Sequence, residues 1–287
     1  MKTVATSLQT HMTPNPVTID PVASLDEALE RLENYGFRHL PVVSCNRVVG
    51  ILSDRDLRLA TSLLPARRRL RDAAGNPIAG PETVSEIMTR PVHCLSVDES
   101  PMRAARDMLE RRIGAIPIVE NGTLVGIVTE TNFLQAYLEL CKLNRGACDD
   151  LVRYQMHRPL PTVAPDTGVE EALEVLDAKV AHLGVSQGGR LLGILSQRDL
   201  LLGISRETID DAKAQAEGRM EHTALPVARI MTPEVLTVEP GATLSHCARM
   251  MTAFRVSALP VVEDGSPVGI VTQRDVLAYY VSCMSDA

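Results

Sequence analysis

The hydrophobic positions of this chain follow one order of spacings four times. In the first copy, apolar residues recur at steps of three and four between positions 21 and 34, which predicts an amphipathic helix: Leu25, Ala28, Leu29 and Leu32. Two short apolar runs, 40–43 and 48–52, then predict strands, and the segment from Asp54 predicts a second helix. With a short β-type run at 17–19, the predicted order is strand, helix, strand, strand, helix.

Local signals support the ends of the first helix. Ser24 is placed to cap it, Glu27 is the acid expected to return to the cap, and Gly36 is expected to end it. A unit of about 50 residues has too small a core to be stable alone, so we expect the repeats to pair.

The most regular part of each repeat is an octapeptide, Val-Gly-Ile-Leu-Ser-Asp-Arg-Asp at residues 49–56, which returns in related form at 125–132, 192–199 and 268–275. Its glycines are 76, 67 and 76 residues apart, a spacing that indicates two pairs of repeats. A Met-Thr-Pro-like tripeptide, which we call the opening, lies upstream of the octapeptide in each repeat, at 12–14, 88–90, 156–158 and 231–233.

These patterns predict an α/β protein with two modules, residues 1–145 and 146–287. The predicted boundaries are repeat 1 at 1–61, a linker at 62–84, repeat 2 at 85–141, repeat 3 at 146–205, a linker helix at 206–224 and repeat 4 at 225–287. Apolar outer faces, at Leu29 and Leu32 and at Leu134, Tyr137 and Leu138, predict that two modules or two chains associate.

Composition narrows the function classes. The net charge of −7 argues against a general nucleic-acid binder, and the arginines at 67–69 and 71 form either a solvated linker or an anion or partner contact. The six cysteines are scattered and the histidines do not cluster with them, so we expect free thiols in a cytoplasmic protein and no metal site. The first residues lack the apolar stretch of a signal peptide and no apolar run has the length of a membrane span, so we expect neither.

The end of the octapeptide carries a hydroxyl and an acid three residues apart. The pairs Ser53/Asp56, Ser196/Asp199 and Thr272/Asp275 fit a capping box, and they equally fit a ribose site at a helix start that also favours phosphate. Basic residues nearby are either surface side chains or phosphate contacts: Arg55, Arg198, Arg274, Arg38, His39 and His182. Repeat 2 departs, because Asn132 follows Thr129 and cannot supply an anionic acceptor.

The opening, the Leu-Pro-Val-Val strand and the octapeptide together resemble the tandem cystathionine β-synthase (CBS) domain family over nearly the whole chain. The resemblance implies four β-α-β-β-α motifs paired into two Bateman modules. The chain is similar to stand-alone prokaryotic four-CBS proteins and to the γ subunit of AMP-activated protein kinase. The family pattern implies an adenosine ligand in clefts between paired motifs, with the hydroxyl and acid on the ribose and partner residues around the base.

We number each cleft by the repeat that supplies its octapeptide, and the resemblance implies the following sets. Cleft 1 has Ser53, Asp56, Ser96, Ile113 and Gly114, with Arg38 and His39 near phosphate; cleft 2 has Thr129, Asn132, Thr18 and Phe37. Cleft 3 has Ser196, Asp199, Thr237, Val256 and Ser257; cleft 4 has Thr272, Asp275, Thr162, Val180 and Ala181. Asn132 makes cleft 2 the weakest expected site.

The resemblance favours a regulatory protein that senses AMP, ADP or ATP (the last with Mg²⁺) and relays occupancy to a partner protein. Alternatives are a structural adaptor with degenerate clefts, or a sensor of NAD or S-adenosylmethionine. No glycine-rich phosphate loop or nucleophile elbow supports an enzyme, and we expect no catalytic cofactor. We further expect a homodimer, no nucleic acid and no membrane insertion.

Overall fold

The computed structural model describes residues 7–62, 80–143, 149–176, 181–204 and 224–285. Repeat 1 contains β1 (Thr13–Pro14), α1 (Leu25–Tyr35), β2 (His39–Ser44), β3 (Arg47–Ser53) and α2 (Asp54–Ser62). Repeat 2 contains α3 (Val84–Ile87), β4 (Leu95–Ser96), α4 (Pro101–Arg111), β5 (Ala115–Glu120), β6 (Thr123–Thr129) and α5 (Glu130–Leu143).

In the second half, repeat 3 has the element order of repeat 2, and repeat 4 has that of repeat 1. Repeat 3 contains α6 (Val152–Gln155), β7 (Thr162–Val163), α7 (Val169–Val175), β8 (His182–Gln187), β9 (Arg190–Ser196) and α8, whose described part is 197–204. Repeat 4 contains β10 (Thr232–Pro233), α9 (Leu244–Phe254), β11 (Ala258–Glu263), β12 (Ser266–Thr272) and α10 (Gln273–Ser285). The predicted α/β class and the fourfold motif are confirmed.

The first helix tests the local signals. Ser24 Oγ accepts a hydrogen bond from the Glu27 N–H at 3.1 Å, and Gly36 ends the helix with a φ of 64° in the left-handed region. The expectation for the Glu27 side chain was wrong, because its carboxylate pairs with Arg31 at 2.6 Å. An ion pair one helical turn away therefore replaces the return bond to the cap.

The two repeats of a module complete each other's sheets. The opening of each repeat pairs with the octapeptide strand of the other repeat in the same module, in one register throughout: Thr13 with Ile127, Thr89 with Ile51, His157 with Ile270 and Thr232 with Ile194. In module 1 this exchange joins a six-stranded sheet in the order β2-β3-β6-β5-β4, with β1 on β6. The predicted pairing of repeat 1 with 2 and of repeat 3 with 4 follows from this exchange.

The octapeptide glycine has a steric reason within this exchange. A Cβ on Gly50 would lie 2.4 Å from Met88 Sδ, and a Cβ on Gly126 would lie 2.2 Å from Met12 Sδ. Gly193 and Gly269 meet Met231 and Met156 in the same way. The methionine of one opening therefore occupies the space that a side chain of the other repeat would need.

The two modules share one hydrophobic core through repeats 2 and 4. Helix α5 packs against α9 and α10, and α10 also packs against α4. The ring centroids of Tyr137 and Tyr279 are 6.0 Å apart in an edge-on contact. Asp149 joins the same region, because it accepts hydrogen bonds from the Tyr137 hydroxyl at 2.9 Å and from Ser245 Oγ at 2.6 Å.

Repeats 1 and 3 have separate, smaller cores. Leu134 and Tyr137 lie fully buried in the core that the two modules share, in line with the predicted association of modules. Leu29 and Leu32 do not take part, because Leu32 is buried in the core of repeat 1 and Leu29 packs against it. An apolar helical stripe shows that a face is covered, and the sequence alone does not show by which partner.

Several predicted features fall outside the described residues, namely the arginine run at 67–71, Val180 and all but the last residue of the expected linker helix. The helices that are described are too short or too polar to cross a bilayer. Among the described ranges, no three His, Cys, Asp or Glu side chains are grouped to hold a metal ion.

Candidate ligand-binding clefts

At the end of each octapeptide a strand passes directly into a helix, and hydrogen bonds hold the transition. In repeat 1, Ser53 Oγ donates to Asp56 Oδ2 at 2.5 Å and accepts from the Asp56 N–H at 3.1 Å, while the Ser53 N–H donates to the same carboxylate at 3.3 Å. This is a reciprocal capping box with aspartate as the acid. The helix starts here because the cap satisfies N–H groups that have no partner within the helix.

The other carboxylates adopt the same geometry. Asp199 Oδ2 accepts from the Ser196 N–H at 2.8 Å and from its hydroxyl at 2.7 Å, and Asp275 Oδ2 accepts from the corresponding groups of Thr272 at 2.7 and 2.8 Å. The cap uses one carboxylate oxygen in each case. The capping bonds do not use the second oxygen, so helix capping does not by itself exclude a contact with ribose.

In cleft 2 the side-chain atom that the cap does not use is a hydrogen-bond donor and not an acceptor. Asn132 Oδ1 accepts from the Thr129 N–H and hydroxyl, both at 2.8 Å, so the oxygen of the amide must take the capping position. The amide nitrogen is then the outward atom, and it lies 3.5 Å from Thr13 Oγ1. Cleft 2 therefore presents a hydrogen-bond donor where the other octapeptides carry a carboxylate oxygen.

Cleft 4 differs in another way. His157 Nε2 lies 2.8 Å from Asp275 Oδ1, the oxygen that the cap leaves available. His157 belongs to the opening of repeat 3 and takes the place of the threonine found in the other openings. The sequence showed this substitution, but it did not show that the side chain reaches Asp275.

The second wall of each cleft is fixed by a backbone contact. The N–H of the first residue after the octapeptide strand donates to the carbonyl of the residue just before the second strand of the same repeat, at 2.9 to 3.2 Å: Asp54 to Arg38, Glu130 to Gly114, Gln197 to Ala181 and Gln273 to Ser257. This contact places residues expected around the base of one cleft beside the octapeptide of the neighbouring cleft.

A cavity of about 470 Å³ lies at cleft 2. Thr129, Phe37 and Thr13 line it from module 1, and Arg255 lines it from module 2. Thr18 and Asn132 of the cleft 2 set are absent from the residues that line it, although Pro16 and Val17 are present. A stacked pair of exposed rings, Tyr35 and Phe37, lies at its wall.

Arg38 and His39, which the resemblance assigned to cleft 1, line the wall of cleft 2. His39 also contacts the cleft 1 set, because its ring would lie 3.3 Å from a Cβ on Gly114 and its backbone pairs with Ser53. Burial, reinforced by the Arg38 charge and opposed by Asp56, lowers the pKa of His39 to about 4. Burial also lowers the pKa of Arg38, against the influence of Glu130. At neutral pH the positive charge of this pair is on Arg38.

Two arginines expected near phosphate instead join the modules. Arg274 Nε and Nη2 donate to Glu130 Oε1 at 3.1 and 3.0 Å, and Arg198 Nε lies 3.3 Å from Asp54 Oδ2. In both contacts an octapeptide acid of module 1 meets an octapeptide arginine of module 2. The sequence displays all four residues, but only the packing of the modules brings them together. Arg55 is exposed.

The remaining predicted residues are placed as follows. Ser96 and Thr162 are exposed on the short parallel strands β4 and β7, and Ile113 packs at the edge of the shared core. His182 pairs with Ser196 across β8 and β9, and the Val256 carbonyl accepts from Gln273 Nε2 at 3.1 Å. Thr237 lines a second cavity of about 310 Å³ beside Arg190, at the start of β9, whereas Ser196 ends β9.

Paired β-α-β-β-α repeats with exchanged openings define a protein of two modules, each made of two repeats. The sequence profile of the CBS domain matches residues 5–62, 84–139, 149–206 and 227–282. The chain belongs to the CBS-domain family.

Similar proteins have the same organisation. Protein MJ1225 of Methanocaldococcus jannaschii is 27% identical over 276 residues, which cover 92% of this chain and 95% of MJ1225. Its crystal structure, described as that of a proposed archaeal homologue of γ-AMPK, has a TM-score of 0.76 over 96% of this chain and 99% of that one, at 25% identity. An uncharacterized conserved protein of Pyrococcus horikoshii shares the fold, with a TM-score of 0.63 at 23% identity over 96% of this chain and 99% of that one.

MJ1404 of the same Methanocaldococcus strain is 28% identical over 278 residues, which are 93% of this chain, and the match spans 60% of the length of MJ1404.

Proposed function

We propose that this protein is a regulatory sensor that binds adenine nucleotides in the clefts between its paired repeats and relays occupancy to a partner protein. The observation that carries this proposal is the octapeptide geometry. Three carboxylates are each held by a cap through one oxygen, at the start of a helix whose first-turn N–H groups favour anions. A carboxylate oxygen can accept hydrogen bonds from ribose hydroxyls.

The charges around cleft 2 support an anionic ligand. Arg38 and Arg255 both line the cavity, and Glu130, the acid of the same wall, is already paired with Arg274. Its volume of about 470 Å³ is in the range of small-molecule sites. The two arginines come from different modules, so a ligand that contacts both would change how strongly the modules are held together.

One observation favours the alternative of an adaptor without ligand: every octapeptide acid or amide already has a structural task in its cap. NAD and S-adenosylmethionine also remain candidate ligands, since they share the adenosine group. We propose no catalytic role. A homodimer would need a surface other than Leu134 and Tyr137, which are covered within one chain.

A thermal-shift and calorimetry panel of AMP, ADP, ATP, NAD and S-adenosylmethionine separates these proposals. A ligand that binds the folded state raises the melting temperature, by an amount set by its concentration relative to Kd. We expect at least one adenine nucleotide to do so, with ATP measured with and without Mg²⁺. If none of the five shifts the melting temperature, the sensor proposal fails and the adaptor is favoured.

The carboxylates provide the matched variants. Asp56→Ala and Asp199→Ala should weaken nucleotide binding and cost about 1 kcal/mol of stability through the lost cap. Ser24→Ala removes a cap on α1 and serves as the control, since it should lower stability to a similar extent and leave affinity unchanged. Equal affinity in the aspartate variants would mean that these residues act in helix capping alone.

A further inference from the structure

The four openings cross their partner strands in one register, and this places the second residue of each opening against a particular octapeptide. Thr13, Thr89, His157 and Thr232 pair with the isoleucine two residues before the octapeptide hydroxyl. In cleft 2 the threonine at this position, Thr13, lies 3.5 Å from the outward amide of Asn132. The residue at this position is therefore a neighbour of the octapeptide's last side chain.

In cleft 4 that neighbour is an imidazole, and it takes the oxygen that the cap leaves available. Asp275 Oδ2 accepts from Thr272, and Asp275 Oδ1 lies 2.8 Å from His157 Nε2. The backbone holds His157 in place, because its N–H and carbonyl both bond to Ile270, at 2.9 and 3.0 Å. Within the described residues, Asp56 and Asp199 receive hydrogen bonds from their own capping boxes alone.

We propose that His157 is a specificity-determining residue that competes with the ribose of an adenine nucleotide for Asp275, so that cleft 4 binds more weakly than clefts 1 and 3. This inference rests on the proposed function. Imidazole and ribose hydroxyls are both donors to a carboxylate, and His157 contacts the Asp275 oxygen that the capping bonds do not use. A nucleotide enters cleft 4 at full strength only when the imidazole leaves Asp275.

The test uses AMP as the probe in calorimetry. In an Asp56→Ala, Asp199→Ala background, which lacks the carboxylates of clefts 1 and 3, His157→Thr gives cleft 4 the residue found in the other openings. We expect AMP to bind roughly fivefold more tightly, the factor that corresponds to about 1 kcal/mol for a partly exposed ion pair. Adding Asp275→Asn to this variant should abolish the gain, because the gain depends on the freed oxygen.

Two further variants control for indirect effects. Thr232→His places an imidazole at the same register position beside cleft 3, and it should weaken AMP binding in the otherwise unchanged protein. Arg158→Ala changes the next residue of the same opening, whose side chain bonds to the Arg153 carbonyl, and it should leave affinity unchanged. The melting temperatures of all variants without ligand show whether they fold.

The outcomes are separable. If the unchanged protein binds AMP and His157→Thr leaves the affinity in the double-alanine background as it was, His157 is a tether between strands and this inference is wrong. A gain that persists with Asp275→Asn also overturns it. If neither the unchanged protein nor the His157→Thr protein binds AMP or another adenosine compound, the proposed function fails, and the inference fails with it.

Discussion

Repeats 2 and 4 meet through a shared core, whereas repeats 1 and 3 each keep a core of their own. One helix position shows the difference: it holds buried Tyr137 in repeat 2 and buried Tyr280 in repeat 4, but Thr61 in repeat 1 and Ile204 in repeat 3. The octapeptides of all four repeats are nearly alike, so the contrast arises in the helix that follows them. The contact between the modules therefore has two parts. Apolar packing joins repeats 2 and 4, and the Arg198–Asp54 ion pair joins repeats 3 and 1.

The largest test of this comparison is Tyr137→Ala. The side chain is fully buried, contacts Tyr279 and donates to Asp149, so its loss should lower the free energy of unfolding by about 4 kcal/mol. The matched change Thr61→Ala in repeat 1 should cost well under half as much. Urea unfolding of both variants measures the two losses. Equal losses would show that the two parts of the contact between the modules are equally important for stability.

A pH titration probes the side of repeat 1. The pKa of His39 is about 4 in the folded protein, below its ordinary value of 6.5, so the unfolded chain binds the proton more readily between those values. The stability contribution is complete above pH 6.5 and is lost as pH falls toward 4. We expect the free energy of unfolding to fall by about 2 kcal/mol more in the unchanged protein than in His39→Gln between pH 7 and pH 5. Parallel pH profiles would mean that His39 is solvated.

The smallest expected effects concern the two ion pairs. Arg274→Ala removes both donors that reach Glu130 across the modules, and it should cost about 1 kcal/mol, less at high salt. Arg198→Ala should cost less, because Asp54 keeps Arg58, whose Nε donates to it at 2.8 Å. Thermal unfolding at low and high salt measures both, and a larger loss for Arg198→Ala would reverse the proposed ranking of the two contacts.

The signs of these charges also distinguish the modules. The sixth octapeptide position is acidic in module 1, at Asp54 and Glu130, and neutral in module 2, at Gln197 and Gln273. The arginines that reach those acids come from module 2. In a contact between two copies of module 2, Arg198 and Arg274 would face glutamine instead. The charges therefore favour the pairing of unlike modules, which is the pairing within one chain.

The fold was predictable because its signals are local and repeated. The helix spacing, the Ser24 cap, the Gly36 stop and the octapeptide recur or act within a few residues. The grouping of repeats followed from spacing alone, and the glycine–methionine contacts give its physical basis.

The details of the clefts were less predictable, because they depend on residues far apart in the chain. The partner of Glu130 is 144 positions away, and that of Asp275 lies in another repeat's opening. The faces of Leu29 and Tyr137 look alike as patterns, yet one packs within its repeat and the other joins two modules. The cavity at cleft 2 is lined in part by Arg255 and Met251 from module 2, and no local signal identifies them.

The exchange of openings has a consequence for how the chain acquires its structure during synthesis. The contact between Gly50 and Met88 can form once 38 further residues have been synthesised. The contact between Met12 and Gly126 can form only after 114 further residues have been synthesised. In the second module the contact between Gly193 and Met231 is likewise the shorter-range one, and the contact between Met156 and Gly269 is the longer-range one. The opening of the first repeat in each module therefore leaves the ribosome early but is among the last segments to pair. No repeat can complete its fold before the other repeat of its module has been synthesised.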